Sequence, residues 1–215
     1  MKKGLTEMVF ILDKSGSMWN LTDDTIGGFN SMIEQQKSED GEAYVTTVLF
    51  NRHHETLHDH INIQDVKPIT HKDYCASGAT ALLDAIGDTI DSIGERLSDT
   101  PEDERPEKVI FVITTDGYEN DSRRFTKSKI KEMIEHQQEK YSWVFIFLGA
   151  NIDAIGEAES LGINSKLSKT YTASARGTRS LYAAVADTLS YTRSVDLATD
   201  GDWTEQACCL MDSIV

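Results

Sequence analysis

The chain alternates between short, wholly apolar runs and longer stretches whose apolar residues recur three and four apart. "MVFIL" (Met8 to Leu12), "VIFVITT" (Val109 to Thr115) and "WVFIFLG" (Trp143 to Gly149) have strand length and no polar alternation. That pattern predicts strands covered on both faces. "YVTTVLF" (Tyr44 to Phe50) predicts another strand, and "KLSKTY" (Lys166 to Tyr171) a last, weaker one. "ETLHDHINI" alternates, with Leu57, Ile61 and Ile63 on one side and His58, His60 and Asn62 on the other. After a turn at Asn51-Arg52, this reads as a hairpin ending in a half-exposed edge strand.

Between these runs the period is helical. Ile26, Phe29 and Ile33 share a face after Thr22, a candidate N-cap followed by Asp23 and Asp24, where carboxylates favour the helix dipole. Leu82, Leu83, Ile86, Ile90, Ile93 and Leu97 mark a long helix, and Ile130, Met133 and Ile134 another. A short helix is expected over Ile152 to Leu161. Leu181, Val185 and Leu189 mark a closing helix from about Ser180 to Arg193. "DTPEDERPE" (Asp99 to Glu107) holds two of the three prolines and reads as a surface loop.

The order β-α-β-β-α-β-α-β-α-β-α predicts an α/β domain with a mostly parallel sheet and helices on both faces. We read residues 1–215 as a single domain with a core of about 6–194 and a tail of about 195–215. Ligands of such sheets gather beyond the carboxyl ends of the strands, where the winding direction reverses.

Composition narrows the partners. The 215 residues are 39% hydrophobic and 27% charged, with net charge −15. That charge argues against nucleic acid or an anionic membrane as partner. No window approaches a membrane span, and the apolar run near the N-terminus is too short for a signal-peptide core. Three cysteines, Cys75, Cys208 and Cys209, make no disulfide framework, so a cytoplasmic location is expected.

The candidate chemistry sits at the predicted strand ends. Asp13 ends the first strand in "DKSGS", and Asp116 follows "VIFVITT" in "TTDG". "CASGATALLDAI" opens the long helix with Thr80 near its first turn. Three loops thus present hard oxygens: Asp13, Ser15 and Ser17; Thr80; Asp116. Such donors suit Mg²⁺ or Mn²⁺ and, less tightly, Ca²⁺. Only two are carboxylates, so a bound cation keeps much of its charge and welcomes a carboxylate from another molecule.

These motifs resemble the metal-ion-dependent adhesion site of von Willebrand factor type A domains. "DKSGS" matches its D-x-S-x-S, "SGAT" resembles its G-G-T loop and "TTDG" its T-D-G strand end. "FILDKSGSMWNLTDDTIGGFN" is also similar to small bacterial and phage-borne members. The resemblance covers about Thr6 to Ser194, with one departure at Ala79, where the family commonly has glycine. It implies a Rossmann-like three-layer α/β/α fold with strand order 3-2-1-4-5-6 and the third strand antiparallel. It also implies a non-enzymatic module in which Ser15, Ser17 and Thr80 ligate Mg²⁺ through hydroxyls and Asp13 and Asp116 bind it directly or through water. A partner protein would supply the Asp or Glu that completes the shell. The closing helix resembles the element whose shift switches affinity in some relatives.

A rim of Trp19, Asn20, Ser77, Tyr118, Glu119, Asn120, Asn151 and Asp153 is expected around that site. An alternative reading keeps the metal site but makes the chain a regulatory or assembly subunit of a separately encoded AAA+ ATPase or of a bacterial stress or defence system. A Mg²⁺-dependent phosphatase is the remote alternative. Phosphatases with an aspartate nucleophile after the first strand need a second carboxylate two residues on, and here that residue is Ser15. "DKSGS" also lacks the first glycine of a serine-hydrolase elbow. His58 and His60 share a strand face in this reading and could chelate zinc with His53 or His54, against the plainer reading of an exposed polar edge.

Overall fold

Every residue of the first strand from Leu5 to Asp13 is buried, so that strand must lie between two layers. The computed structural model, which describes residues 1–212, shows those layers. In chain order the elements are β1 (Lys2–Asp13), α1 (Thr22–Lys37), β2 (Glu42–Phe50), β3 (His54–Asn62), α2 (Leu82–Asp99) and β4 (Pro106–Thr115). They continue with α3 (Lys127–Tyr141), β5 (Val144–Ala150), α4 (Ala154–Ser160), β6 (Ser168–Tyr171), α5 (Ala175–Ser194) and α6 (Trp203–Met211). The six strands form one sheet in the order β3-β2-β1-β4-β5-β6. All neighbours are parallel except β2 and β3. This is the three-layer arrangement and strand order expected from the sequence.

Alternate residues of β1 feed two cores. Met8, Phe10 and Leu12 pack with Phe29, Met32 and Ile33 of α1 and with Leu181, Val185 and Leu189 of α5. Val9 and Ile11 pack with α2 through Leu82, Ile86 and Ile90, and with Ile130 and Ile134 of α3. The Phe10 and Phe29 rings meet edge-on, with centroids 5.3 Å apart. Helices α1 and α5 approach closely because Gly28 leaves room for the Tyr182 ring, which a Cβ at that position would strike.

The carboxyl end of α5 is tied down. The Lys108 ammonium on β4 donates to the carbonyls of Thr192 at 3.0 Å and Arg193 at 2.6 Å, and also to that of Val195. A cation there satisfies carbonyls that the helix leaves open and complements its dipole. Arg193 in turn donates to the backbone and side-chain oxygens of Gln36 on α1, both at 3.0 Å.

Several local expectations change. Thr22 does not cap α1. A 3-10 turn over Gly16–Leu21 runs directly into the helix, and the Thr22 hydroxyl donates back to the Met18 carbonyl at 3.4 Å. The residues expected as a tail include α6, which buries Ala207 and Met211 in the α1/α5 core. Residues 213–215 of the expected tail lie outside the described residues.

The simple alternation in β3 is broken by a bulge. Thr46 stands opposite both Asp59 and His60, and His60 adopts a left-handed backbone with φ of 51°. The bulge sends the two histidines to opposite sides of the sheet. His58 is buried with Nδ1 3.0 Å from the Thr47 hydroxyl, and burial lowers its pKa. His60 lies 2.7 Å from the Glu7 carboxylate and stacks on Tyr44. Among the described residues no group of three His, Cys, Asp or Glu side chains could hold a metal, so the zinc reading of this stretch fails. No helix among them is long and apolar enough to cross a membrane.

The α1/α5 contact yields a paired prediction. Gly28→Ala should destabilise the protein by about 1–3 kcal/mol, because the added methyl meets a packed ring. Gly27→Ala, one residue earlier with open space around it, should stabilise by up to about 1 kcal/mol through helix propensity. Urea denaturation of both variants checks the contrast.

Candidate metal centre

The sheet winds one way from β1 through α1 to β2 and the other way from β4 through α3 to β5. The crevice between β1 and β4 is therefore the reversal point. Asp13 ends β1, and Asp116 follows the last residue of β4. Two adjacent parallel strands thus deliver a carboxylate each to the same crevice.

Asp13 is 1% exposed. Its Oδ1 accepts the Ser15 N–H at 2.6 Å, and its Oδ2 accepts the Thr115 hydroxyl at 2.7 Å. Its own carbonyl accepts the Tyr74 hydroxyl. Across the crevice the Ser17 hydroxyl donates to Asp116 Oδ1 at 2.6 Å, and the Ser15 and Ser17 hydroxyls are 3.2 Å apart. Ser15 and Thr80 are buried, while Ser17 is exposed, so the cluster opens to solvent on the Ser17 side. Lys14 turns away and pairs with Glu55, leaving its charge outside the cluster.

The Thr80 loop is pinned on both sides. Gly16 N–H donates to the Gly78 carbonyl at 3.0 Å, and Ser77 N–H to the Lys14 carbonyl at 2.8 Å. Gly78 carries the left-handed φ of 80° that this turn needs, so Ala79 is free to be alanine. Thr80 N–H donates to Asn120 Oδ1 and Asn120 N–H to the Thr80 carbonyl, both at 3.0 Å. Thr80 is not the cap of α2, which begins at Leu82. A Cβ built on Gly117 would stand 3.6 Å from the Thr80 hydroxyl, which places Thr80 beside the Asp116 loop.

Reciprocal carboxylate bonds join that loop to α2. Glu119 Oε2 accepts the Leu83 N–H at 3.0 Å, and its Oε1 accepts the N–H groups of Asp121 and Ser122 at 2.8 and 2.7 Å. Asp84 of α2 accepts the N–H groups of Arg123, Arg124 and Phe125 at 2.9–3.0 Å. Burial pushes the Asp84 carboxyl up, but these three amides outweigh it and hold it below the ordinary value. Ser15, Ser17, Thr80, Asp13 and Asp116 are thereby brought together by loops that are hydrogen-bonded to one another.

The expected rim divides. Trp19 and Tyr118 are 69% and 56% exposed, and Asn20 and Ser77 also face solvent. Trp19, Asn20, Asp23, His71 and Cys75 line a shallow cleft beside the first loop. Glu119 and Asn120 spend their side chains on the loop bonds just described. Asn151, at a left-handed φ of 56°, accepts the Ala173 N–H, and Asp153 caps α4 through the Gly156 N–H. The Asp153 N–H reaches the Tyr118 hydroxyl at 3.3 Å, which places that loop beside the site. Thr115, Tyr74 and Asn51 were not legible as parts of the site. Asn51 accepts the Ala81 N–H at 2.8 Å and so supports the Thr80 loop from the β2–β3 turn.

The electrostatics fit a hard cation. Among the described residues no Lys, Arg or His forms an ion pair with Asp13 or Asp116. Burial pushes the Asp13 carboxyl up to about 6, against the hydrogen bonds from Thr115 and Ser15, and burial raises Asp116 as well. Two desolvated carboxylates beside hydroxyl oxygens, with no counter-charge of their own, form a donor set for Mg²⁺ or Mn²⁺. Glycine at position 117 keeps the Thr80 hydroxyl uncovered.

No protein-family model and no curated protein sequence matches the chain. Solved structures do match its fold. Proximal thread matrix protein 1 from the mussel byssus, described with a zinc-occupied MIDAS motif, aligns with TM-score 0.60 and 13% identity. That alignment covers 86% of this chain and 48% of the other. The manganese-loaded TRAP protein of Plasmodium vivax gives 0.52 and 15%, covering 80% of this chain and 70% of that one. A von Willebrand factor type A protein from Catenulispora acidiphila gives 0.53 and 12%, covering 98% and 43%. The chain spans about half the length of the first and less of the third. The fold and the crevice define an α/β protein with an oxygen-donor centre at its winding reversal. More particularly, the chain folds as a von Willebrand factor A domain.

Asp13 gives a testable sign. Its folded pKa of about 6 lies above the ordinary aspartate value of 3.8. In the metal-free protein its burial therefore costs stability above pH 6, and that cost is relieved as pH falls from 6 toward 4. In EDTA at pH 7, Asp13→Asn should be more stable than the native chain by about 1–3 kcal/mol, with the gap closing near pH 4. Denaturation across that pH range checks it. A native chain more stable than the variant throughout would show that the carboxylate is compensated without metal.

Proposed function

We propose that the chain is a non-enzymatic, metal-dependent protein-binding module. Ser15, Ser17 and Thr80 would contribute hydroxyl oxygens to a divalent cation, Mg²⁺ first, with Mn²⁺ or Ca²⁺ as substitutes. Asp13 and Asp116 would contribute carboxylates, directly or through water. The observation that carries this reading is the pair of carboxylates, buried Asp13 and half-buried Asp116, without a cationic partner among the described residues, ringed by neutral hydroxyls.

With Asp13 and Asp116 acting through water, a first shell of neutral hydroxyl and water oxygens would leave the charge of the dication unneutralised at its open position. An Asp or Glu from a partner is the ligand that this charge balance favours. The surroundings suit a protein surface. Trp19 in the 3-10 turn after β1, Tyr118 in the loop after β4 and Ile155 at the start of α4 after β5 are among the few large hydrophobic residues that are exposed. Exposed aromatic residues rimming a charged anchor are typical of binding energy concentrated at a small patch. Zinc and manganese occupy the similar folds named above, which supports a divalent cation without naming it.

A reducing compartment such as the cytoplasm fits the free thiols of Cys75, Cys208 and Cys209. A phosphatase finds little support, because Ser15 holds the position where a general acid would stand and its side chain cannot serve as one.

Calorimetric titration of Mg²⁺ into the native chain and into Asp13→Ala tests the reading. Weak binding is expected, reduced by about tenfold or more in the variant, a loss of about 1.4 kcal/mol. Equal binding by both proteins would remove the central claim, and turnover of a generic phosphate ester that depends on Asp13 would replace it with an enzyme.

A further inference from the structure

Beside the centre, an acidic molecule turns positive groups outward. The chain carries net charge −15, yet Arg52, Arg123 and Arg124 gather next to the Thr80 and Asp116 loops. Arg52 follows Asn51, whose carbonyl holds the Ala81 N–H, one residue from Thr80. Arg123 and Arg124 lie on the loop that runs on from Asp116, with their N–H groups fixed by Asp84.

The three side chains share only two carboxylates. Arg52 Nε is 2.8 Å from Asp121, Arg123 is 3.7 Å from the same carboxylate, and Arg124 pairs with Asp88 at 2.5 Å. Those acids are turned inward, each 17% exposed, whereas the arginine side chains are 59%, 80% and 64% exposed. An approaching partner therefore meets guanidinium groups rather than the acids that orient them. Arg52 engages Asp121 through Nε, which leaves its two terminal nitrogens to offer a fork to a second carboxylate.

We propose that Arg52 and Arg123, with Arg124 beside them, form a second anchor for an acidic segment of a partner protein, one whose first carboxylate completes the metal shell and whose following Asp or Glu residues pair with the guanidinium groups. This rests on the metal-dependent reading of the neighbouring site. It commits to a partner with clustered acids, although the net charge of the whole chain repels such a segment. The two effects have opposite salt signatures. Screening a global repulsion strengthens binding, and screening a local ion pair weakens it.

The test uses the full chain in saturating Mg²⁺ with two synthetic peptides. One carries a single aspartate in a glycine-serine background, and the other adds three glutamates after that aspartate. The multi-acid peptide should bind about tenfold tighter at low salt, with the advantage shrinking as NaCl rises. The double variant Arg52→Ala, Arg123→Ala should lose the advantage while Mg²⁺ binding and single-aspartate binding stay unchanged. Arg52→Lys, Arg123→Lys should keep most of it, which separates lost charge from a disturbed loop. Equal affinity for the two peptides, affinity that rises with salt, or an advantage retained in the alanine variant would each overturn the proposal. Single-aspartate binding that EDTA leaves unchanged counts against the metal reading instead. The arginine anchor then stands or falls on whether the alanine variant loses the multi-acid preference.

Discussion

Two carboxylates that desolvation pushes toward protonation, and that no cation among the described residues pairs with, sit at the ends of neighbouring parallel strands. Most of the upper half of the molecule is organised around that tension. Asp13 accepts a backbone amide and a buried hydroxyl, and Asp116 accepts the Ser17 hydroxyl, so each is partly satisfied without a counter-charge. Hydrogen bonds of this kind orient a carboxylate but do not neutralise it. The crevice therefore keeps an unspent preference for positive charge, and the sheet's reversal of winding is what brings the two acids into it.

Holding five oxygens in one place requires that three loops behave as one body. Gly16–Gly78 and Ser77–Lys14 join the first loop to the second, and Asn120–Thr80 and Glu119–Leu83 join the second to the third. Thr115–Asp13 closes the ring. Such a cluster presents its donors in place, so less ordering is needed when a ligand arrives. Beneath it, Lys108 and Arg193 tie the end of α5 to β4 and α1. Displacing that helix would strand a buried ammonium and several carbonyls, a strong local opposition to any shift of α5.

The strands and most helices were legible because they are written in local pattern, as apolar runs and helical spacing. The sheet order followed from the resemblance that the strand-end motifs carry, and the five oxygen-bearing residues named from those motifs do fall in one crevice. What was not legible depends on partners distant in sequence. Nothing around Glu119 says that it turns inward to cap α2, since Leu83 lies 36 positions away. Tyr74 reads as an ordinary loop aromatic until its hydroxyl is seen on the Asp13 carbonyl, 61 positions off. The β3 histidines misled for another reason. The β2–β3 ladder shifts register twice, between Val45 and Thr47 and between Thr47 and Val48, so strict period-two reasoning put His58 and His60 on one face, although Leu57, Ile61 and Ile63 still meet the same core. The last helix, expected as an apolar tail around Cys208 and Cys209, packs into the core through Ala207 and Met211, a docking that depends on elements distant in sequence.

The bulge has a bearing on how this molecule meets others of its kind. An edge strand offers a row of free amides and carbonyls to any passing chain. In β3 the left-handed His60, anchored by Glu7, and the Asp59–Arg96 pair break that row and set charge along it. The outer strand is thereby a poor template for adding another, and at high concentration the sheet is guarded against growing sideways into fibres. Contact is left to the loop end, where the proposed recognition would depend on an ion and would be withdrawn by removing it.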